Sequence, residues 1–220
     1  MQAVVMGRRI ERFLTLIGVL AVSTILMAAM PSNAATALPS KSQALSSINT
    51  YFTNLKTMKG DFIQFGPQGG RLEGQFFIHR PGKVRFYYNK PSSLDIIADG
   101  KMVSVKDRKL QTQDLWPLSK TPLRFLLSDK TDLTREANIT NVVVEPDLVS
   151  VVIDDKTRFA SGRITLIFDA KTYQLKQWTV RDNQGYDTSV ALYNIEENGP
   201  TNPKLFKIDY LANSRQKRGN

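Results

Sequence analysis

The chain contains no cysteine, and among its 220 residues there is a single histidine, His79. Without cysteine, the sequence excludes a disulfide scaffold, a thiol nucleophile and attachment of a lipid through a cysteine thioether. A lone histidine also leaves no basis for a serine–histidine relay or for a transition-metal site. A glycine-rich phosphate loop is missing as well. We therefore expect no metal and no cofactor.

Carboxylates occur in adjacent pairs, at Asp154-Asp155 and at Glu196-Glu197. Neighbouring side chains on a strand point to opposite faces, so neither pair can converge on one substrate atom. These residues are typical of turn and surface acids. Taken with the missing nucleophile and base, the pattern predicts a binding protein and not an enzyme.

The run from Phe13 to Met30 carries no charge. Three arginines precede this run, and small residues follow it. This pattern is typical of a cleaved secretory signal peptide with its cut after Ala34. A permanent membrane anchor is the alternative, because eighteen uncharged residues are close to the length that spans a bilayer. We expect residues 1–34 to be removed, residues 35–210 to form one exported domain, and residues 211–220 to form a polar basic tail.

Removal of residues 1–34 leaves 27 basic and 19 acidic residues, a net charge of +8. Such a balance favours anionic partners. Because the cations are spread along the chain and the protein is expected to be exported, we do not expect a nucleic-acid partner. A negatively charged membrane surface or an acidic docking face on another protein fits better, and a merely solvated surface is equally compatible with the charge.

Hydrophobic periodicity predicts one helix followed by a sheet. After Ser40, apolar residues at Leu45, Ile48, Phe52 and Leu55 draw a stripe along one helix face. Beyond Gly60 the period changes to two, and about a dozen short runs alternate with turn signals. A short helix with Pro122 in its first helical position is predicted between Ser119 and Asp129. The fold class is mainly β, as an incomplete antiparallel barrel or strongly curved sheet with few short helices.

One arginine occupies a position where strand alternation demands a hydrophobic residue. Arg80 falls on the same face as Phe76 and Ile78, before a Pro81-Gly82 turn. A buried cation must be paired or hydrogen-bonded, so Arg80 is predicted to meet carbonyls or a carboxylate. It either belongs to an ordinary core or lies at the edge of a lined cavity. The candidate cavity residues are Arg80, Phe76, Ile78, Val84, Phe86, Tyr88 and Phe168, with Leu123, Leu126 and Leu127 from the short helix.

Several motifs in order and at matching spacing resemble one family. They are KGDFIQF from Lys59, G-x-F-x-I-x-R-P-G from Gly74, D-G-K at Asp99, T-P-x-x-x-L-L at Thr121, F-D at Phe168, D-N-Q-G-Y-D-T at Asp182 and L-F-x-I at Leu205. Together they span nearly all of the mature chain, and they are similar to the periplasmic outer-membrane lipoprotein carriers of the LolA type. Three features depart from the family pattern: Val84 stands where the family carries an aromatic residue, Trp116 lies just before the lid helix, and a polar basic tail replaces the usual final strand.

The resemblance implies an incomplete barrel wrapped around a lid of short helices. It also implies a monomeric carrier that shelters the acyl chains of lipoproteins and shuttles them from an inner-membrane ABC transporter to the outer membrane or its lipoprotein receptor. The family's cavity arginine, which bonds to the lid in the closed state, falls on Arg80. A lipid- or lipoprotein-sensing periplasmic protein of the same fold is the alternative function.

Overall fold

A computed structural model describes residues 37–129, 133, 138–155 and 162–212 of the chain. The expected signal peptide over residues 1–34 and residues 213–220 of the expected tail lie outside the described residues. Within the described part, no helix is long and apolar enough to cross a membrane.

The first element is a helix, α1 (Lys41–Asn54), as its sequence pattern predicts. Ser40 caps its N-terminus: its side chain accepts a hydrogen bond from the Gln43 amide, and the Gln43 side chain accepts one from the Ser40 amide. This reciprocal pair satisfies two amides that would otherwise lack a partner. Ala44, Ile48 and Phe52 are buried along one face, so α1 packs against the sheet through the predicted stripe.

The remaining architecture is one antiparallel sheet of eleven strands. The strands are β1 (Thr57–Phe65), β2 (Arg71–His79), β3 (Lys83–Tyr88), β4 (Leu94–Asp99), β5 (Met102–Asp107), β6 (Thr112–Pro117), β7 (Ile139–Val144), β8 (Leu148–Asp155), β9 (Gly162–Asp169), β10 (Leu175–Arg181) and β11 (Asp187–Glu197).

The sheet order is β6-β5-β4-β3-β2-β1-β11-β10-β9-β8-β7. Every neighbouring pair except β1–β11 is consecutive in sequence, so the sheet is two meanders joined along one seam. It ends at β6 and β7 and does not close into a barrel. The prediction of an incomplete antiparallel barrel with few short helices is therefore confirmed.

The core lies on one face of the sheet, where inward side chains alternate along each strand. On β2 and β3 the pairing is regular, from Gly74 opposite Tyr88 to Ile78 opposite Val84. Gly74 is required there because a Cβ would lie 2.1 Å from the Tyr87 carbonyl oxygen and 2.8 Å from the Phe62 ring. The aromatic side chains therefore close over a position that has no room for a side chain.

Between β6 and β7 the chain forms the lid, which we define as residues 118–129. It contains a 3-10 helix (Leu118–Lys120) and a helix of one turn, α2 (Arg124–Leu127). The predicted position of Pro122 as first helical residue is wrong by two residues. Thr121 is extended, as residues before proline usually are, and Leu123 caps α2.

Residues 199–212, the C-terminal segment, cover part of the outer face of the sheet. This segment contains a 3-10 helix (Pro203–Phe206) that Asn202 caps through a hydrogen bond from the Lys204 amide. Phe206 is buried, and its ring meets the His79 ring edge-on at 6.0 Å. Strands β2 and β3 are therefore covered on both faces.

Candidate functional site

The structure brings the predicted cavity residues together. The six wall residues Phe76, Ile78, Val84, Phe86, Tyr88 and Phe168 lie in one buried cluster with Leu126 and Leu127 of the lid. Leu123 is half-buried and packs against the same cluster. The helices therefore cover the apolar face of the sheet with their own apolar side chains.

Arg80 lies at the edge of this cluster, where the β2–β3 turn meets both helices. Only 6% of the residue is exposed. Its Nη1 donates a hydrogen bond to the carbonyl oxygen of Phe52 in α1, and its Nη2 donates one to that of Ser128, which follows α2. The prediction that Arg80 meets carbonyl groups is confirmed. One side chain from the sheet thus joins two separate helices.

The guanidinium group is stabilised as a cation in this position. It lies over the Phe52 ring, 4.9 Å from the ring centroid, in a cation–π contact. Burial lowers the pKa of Arg80 to about 10, while the charges of Tyr51 and Asp129 act to raise it. The pKa therefore stays well above neutrality, and the group remains charged at physiological pH.

Backbone hydrogen bonds hold the lid to the sheet on either side of Arg80. The Gly82 amide donates to the Leu127 carbonyl oxygen at 2.8 Å, and the Leu118 amide donates to the Lys101 carbonyl oxygen at 2.8 Å. Gly82 has a φ of 79°, and a Cβ there would lie 2.7 Å from the Gly100 Cα. Glycine at this turn lets the two hairpin ends approach each other beneath the lid.

Sequence reasoning missed several residues of the site. Phe62 contacts Phe86 and Tyr88 edge-on, with ring centroids 5.2 Å and 5.0 Å apart, and Trp178 lies 5.9 Å from Phe86. Phe62 shares a face with Met58 by strict alternation, which is a signal that could have identified it. Trp178 is buried together with Leu175, three residues earlier, because the pairing of β10 with β9 shifts between Leu175 and Gln177.

A cleft of about 540 Å³ opens where the lid begins. Trp116 and the first lid residues form one side of the cleft. The ends of β9 and β10, including Ile164 and Val180, form the other side. Trp116 is more than half exposed there. The cleft is therefore bounded by the start of the lid and by strand ends that carry the buried Ile164.

The histidine and the acidic side chains that were considered for catalysis lie outside the apolar cluster. The His79 Nδ1 shares a hydrogen bond with the Thr201 hydroxyl at 2.7 Å on the outer face, so the histidine points away from the apolar interior. Glu196 pairs with Lys59 at 2.9 Å, while Glu197 accepts a hydrogen bond from the Tyr51 hydroxyl at 2.7 Å. Burial, and then the bond to Glu197, raises the pKa of Tyr51.

The carboxylates of Glu196 and Glu197, which are both described, therefore have different partners and do not converge. Asp154 pairs with Arg163 at 2.8 Å, and the Asp155 side chain lies outside the described part. Across the residues that the structure describes, no group of three or more acidic or histidine side chains could hold a metal ion.

An open antiparallel half-barrel, an apolar inner wall and helices bonded to a buried arginine together define a class of lidded half-barrel folds. The family model described as outer membrane lipoprotein carrier protein LolA matches residues 53–209. This match spans most of the chain and includes Arg80 and the lid. The chain belongs to the LolA family of outer membrane lipoprotein carrier proteins.

Relatives with the same description are similar along most of their length. The outer-membrane lipoprotein carrier protein of Methylobacillus flagellatus is 27% identical over 166 residues, which cover 72% of this chain and 80% of that protein. The corresponding protein of Nitrosomonas europaea is 25% identical over 180 residues, with 78% and 87% of the two chains covered.

Among solved structures, a LolA superfamily protein from Nitrosomonas europaea is similar with a TM-score of 0.45 and 9% identity, covering 79% of this chain and 100% of that chain. Family membership rests on the sequence matches.

Proposed function

We propose that this protein is a periplasmic carrier that shelters the acyl chains of lipoproteins between its half-barrel and its lid. It receives them from an inner-membrane ABC transporter and delivers them to an outer-membrane receptor or to the outer membrane itself. In this proposal residues 1–34 are removed on export, and residues 35–210 act as one monomeric carrier domain.

The observation that carries the proposal is the attachment of both helices to Arg80. The Phe52 and Ser128 carbonyl groups that it binds belong to α1 and to the end of the lid, the two parts that separate from the sheet in this proposal. If the helices separate from the sheet, the wall formed by Phe76, Phe86 and their neighbours becomes available to acyl chains. The described arrangement is then the empty, closed state.

Energetics require transfer without release into solvent. Each buried methylene stabilises an acyl chain by about 0.8 kcal/mol, so exposing three long chains to water would cost on the order of 30 kcal/mol. Cargo must therefore pass directly from donor to carrier and from carrier to acceptor. Loading is driven by the donor's ATP hydrolysis, because the apolar interior is at best comparable to the bilayer for acyl chains.

Arg80 then acts as the switch that makes unloading possible. Incoming chains break its bonds to the helices, and the recovery of those bonds on closure offsets part of the binding free energy of the cargo. Replacing Arg80 removes this contribution from the empty state alone. The loaded state becomes more stable relative to the empty state, and cargo is retained.

The test is Arg80→Leu, with Arg71→Leu as matched control, because Arg71 begins β2, the strand that Arg80 directly follows, and lies there in an exposed pair with Glu73. Each protein is purified from the periplasm, its bound triacylated lipoproteins are measured by mass spectrometry, and their transfer to outer-membrane vesicles is followed. We expect Arg80→Leu to load normally and to release about tenfold less, since bonds of this kind contribute about 1 to 3 kcal/mol.

Normal unloading by Arg80→Leu would contradict the switch while leaving the carrier function intact. An unaltered protein that is purified without any lipoprotein and turns over a lipid ester would contradict the carrier function itself.

A further inference from the structure

A groove of about 710 Å³ lies at the end of β3 that is remote from Arg80. It is lined by residues 87–93, which lead from β3 into β4, and by Arg108 and Lys109 from the turn between β5 and β6. None of these residues except Tyr88 belongs to the apolar interior. The groove is therefore separate from the site proposed for acyl chains.

The groove holds cations whose charges are not neutralised by ion pairs. Arg108 donates hydrogen bonds to the carbonyl oxygens of Ser93 at 3.2 Å and Leu94 at 3.4 Å, and it lies 4.8 Å from the Tyr87 ring centroid. These partners fix the guanidinium group without cancelling its charge. Lys90 and Lys109 are exposed, and within the described part of the chain no ion pair involves these three cations.

The nearby carboxylates are already engaged. Asp107 accepts hydrogen bonds from the Ser93 hydroxyl at 2.7 Å and from the amides of Lys109 at 2.8 Å and Leu110 at 3.0 Å. Asp95 is paired with Arg85 at 2.8 Å. Asp107 therefore organises the turn that carries Arg108 and Lys109. Its negative charge acts on Lys109, and three cations beside this one carboxylate leave the groove with an excess of positive charge.

The exposure of Leu110 favours a lipid surface over an acidic protein as the partner of this groove. It lies in the turn immediately after Lys109, and 65% of it is exposed to solvent. An exposed apolar tip beside basic side chains suits the boundary between headgroups and acyl chains, where the cations meet phosphates and the apolar group leaves water. An acidic protein face would match the cations but would give no reason for the exposed leucine.

We propose that this groove docks the protein on a phospholipid surface with anionic headgroups. Lys90, Arg108 and Lys109 contact the phosphates, and Leu110 enters the acyl boundary. Because docking uses the β3–β4 and β5–β6 turns at the strand ends remote from Arg80, it goes beyond the proposed carriage of lipoproteins and does not require cargo.

The test measures sedimentation of the cargo-free, signal-processed protein with two kinds of vesicle. One kind is phosphatidylcholine alone, and the other contains equal parts of phosphatidylcholine and phosphatidylglycerol. Binding is expected only to the anionic vesicles and is expected to fall with added salt. Replacing Lys90→Gln and Lys109→Gln together is expected to weaken it about 30-fold, since each cation contributes about a factor of five.

Leu110→Ser is expected to weaken binding about tenfold, because an apolar side chain no longer leaves water. Arg108 is left in place, since it also bonds to Ser93 and Leu94. The matched control is Lys171→Gln with Lys204→Gln, which removes the same charge from exposed positions outside the groove and is expected to bind almost as the unaltered protein does. Unchanged thermal unfolding of every variant checks the fold.

Three results would overturn the proposal. The unaltered protein could fail to bind anionic vesicles, or the groove variants could bind no more weakly than the control. Saturable binding of soluble glycerol 3-phosphate that is lost in the groove variants, without binding to vesicles, would make the groove a small-anion site.

Discussion

The two faces of the β2–β3 hairpin are covered in different ways. On the inner face, Arg80 donates hydrogen bonds to backbone carbonyl groups of helices that are far apart in sequence. On the outer face, Arg85 forms a two-pronged ion pair with Asp95 on the adjacent strand, and the C-terminal segment packs through Phe206. The outer cover, which is the C-terminal segment, is held by packing beside an ion pair that lies within the sheet. The inner cover, which consists of the helices, is held by Arg80 bonds that join separate layers.

This difference matters for the proposed opening. A carbonyl group released from Arg80 can bond to water as soon as the helices move, so separation leaves no acceptor stranded in an apolar environment. Removing one member of a largely buried ion pair instead leaves a charge without its partner. The inner cover is therefore the one suited to reversible separation. Four changes test the contrast, beginning with the largest expected effect on stability.

Phe206→Ala should destabilise the protein by about 3 kcal/mol, because a buried ring leaves a cavity between the C-terminal segment and His79. Urea unfolding at neutral pH measures the change. Lipoprotein release should be unaffected if the outer cover stays closed during transfer. Impaired release in a fully folded Phe206→Ala protein would show that both covers take part.

Asp95→Asn should destabilise by about 2 kcal/mol, since the Arg85 side chain is only 22% exposed and loses its charge partner. The matched control is Asp187→Asn. Its pair with Arg181 also joins neighbouring strands but is exposed, at 41% and 53% for the two side chains, so a much smaller loss of stability is expected. Equal effects in urea unfolding would remove the distinction drawn from burial.

Arg80→Lys should destabilise by about 1 kcal/mol. A lysine keeps the positive charge but presents a single ammonium group, which cannot hold both the Phe52 and the Ser128 carbonyl in the same geometry. Release of lipoprotein should then lie between that of the unaltered protein and that of Arg80→Leu. A lysine variant with unaltered release would mean that charge alone, and not the two-helix bond, governs unloading.

Tyr210→Phe should have the smallest effect, below about 1 kcal/mol, because the bond that it removes is largely solvated. Although burial acts in the opposite direction, hydrogen bonds from Met102, Tyr210 and Lys101 lower the pKa of Asp99. A carboxylate with a lowered pKa contributes stability that is present above about pH 4 and lost as the pH falls through the folded-state pKa.

The loss of stability on acidification should therefore be slightly smaller in Tyr210→Phe than in the unaltered protein. Urea unfolding at pH 6 and in the range below about pH 4 measures this difference. An identical pH dependence in both proteins would show that the Tyr210 bond does not affect Asp99.

Strand alternation predicted the inner wall because β2 and β3 pair without a bulge. With regular pairing, the parity of Gly74 fixes the side on which Phe76, Ile78 and Arg80 lie. The same rule fails on β10, where the shifted pairing places Leu175 and Trp178 on one side. A bulge depends on how two strands meet, and a single strand's sequence gives little sign of it.

The partners of Arg80 could be predicted only by type. A buried guanidinium needs acceptors, so carbonyls or a carboxylate are expected, but the identity of these acceptors depends on where two helices pack after folding. Phe52 lies at the predicted apolar stripe of α1, yet nothing local in the sequence indicates that its carbonyl faces the β2–β3 turn. The late start of the lid helix has a local cause, because the amides of Arg124 and Phe125 bond three residues back, to the Thr121 and Pro122 carbonyls, in tighter turns than those of an α-helix.

The order of the strands also has a kinetic consequence. Every pairing in the sheet is a local hairpin except the β1–β11 seam, where Phe65 lies opposite Ser189, 124 residues further along the chain. The entropic free-energy cost of closing so long a loop is about 2 kcal/mol larger than that of closing a hairpin of about ten residues. Two hairpin arrays can thus form early and independently, and their joining along this seam is the step on which the speed of folding depends.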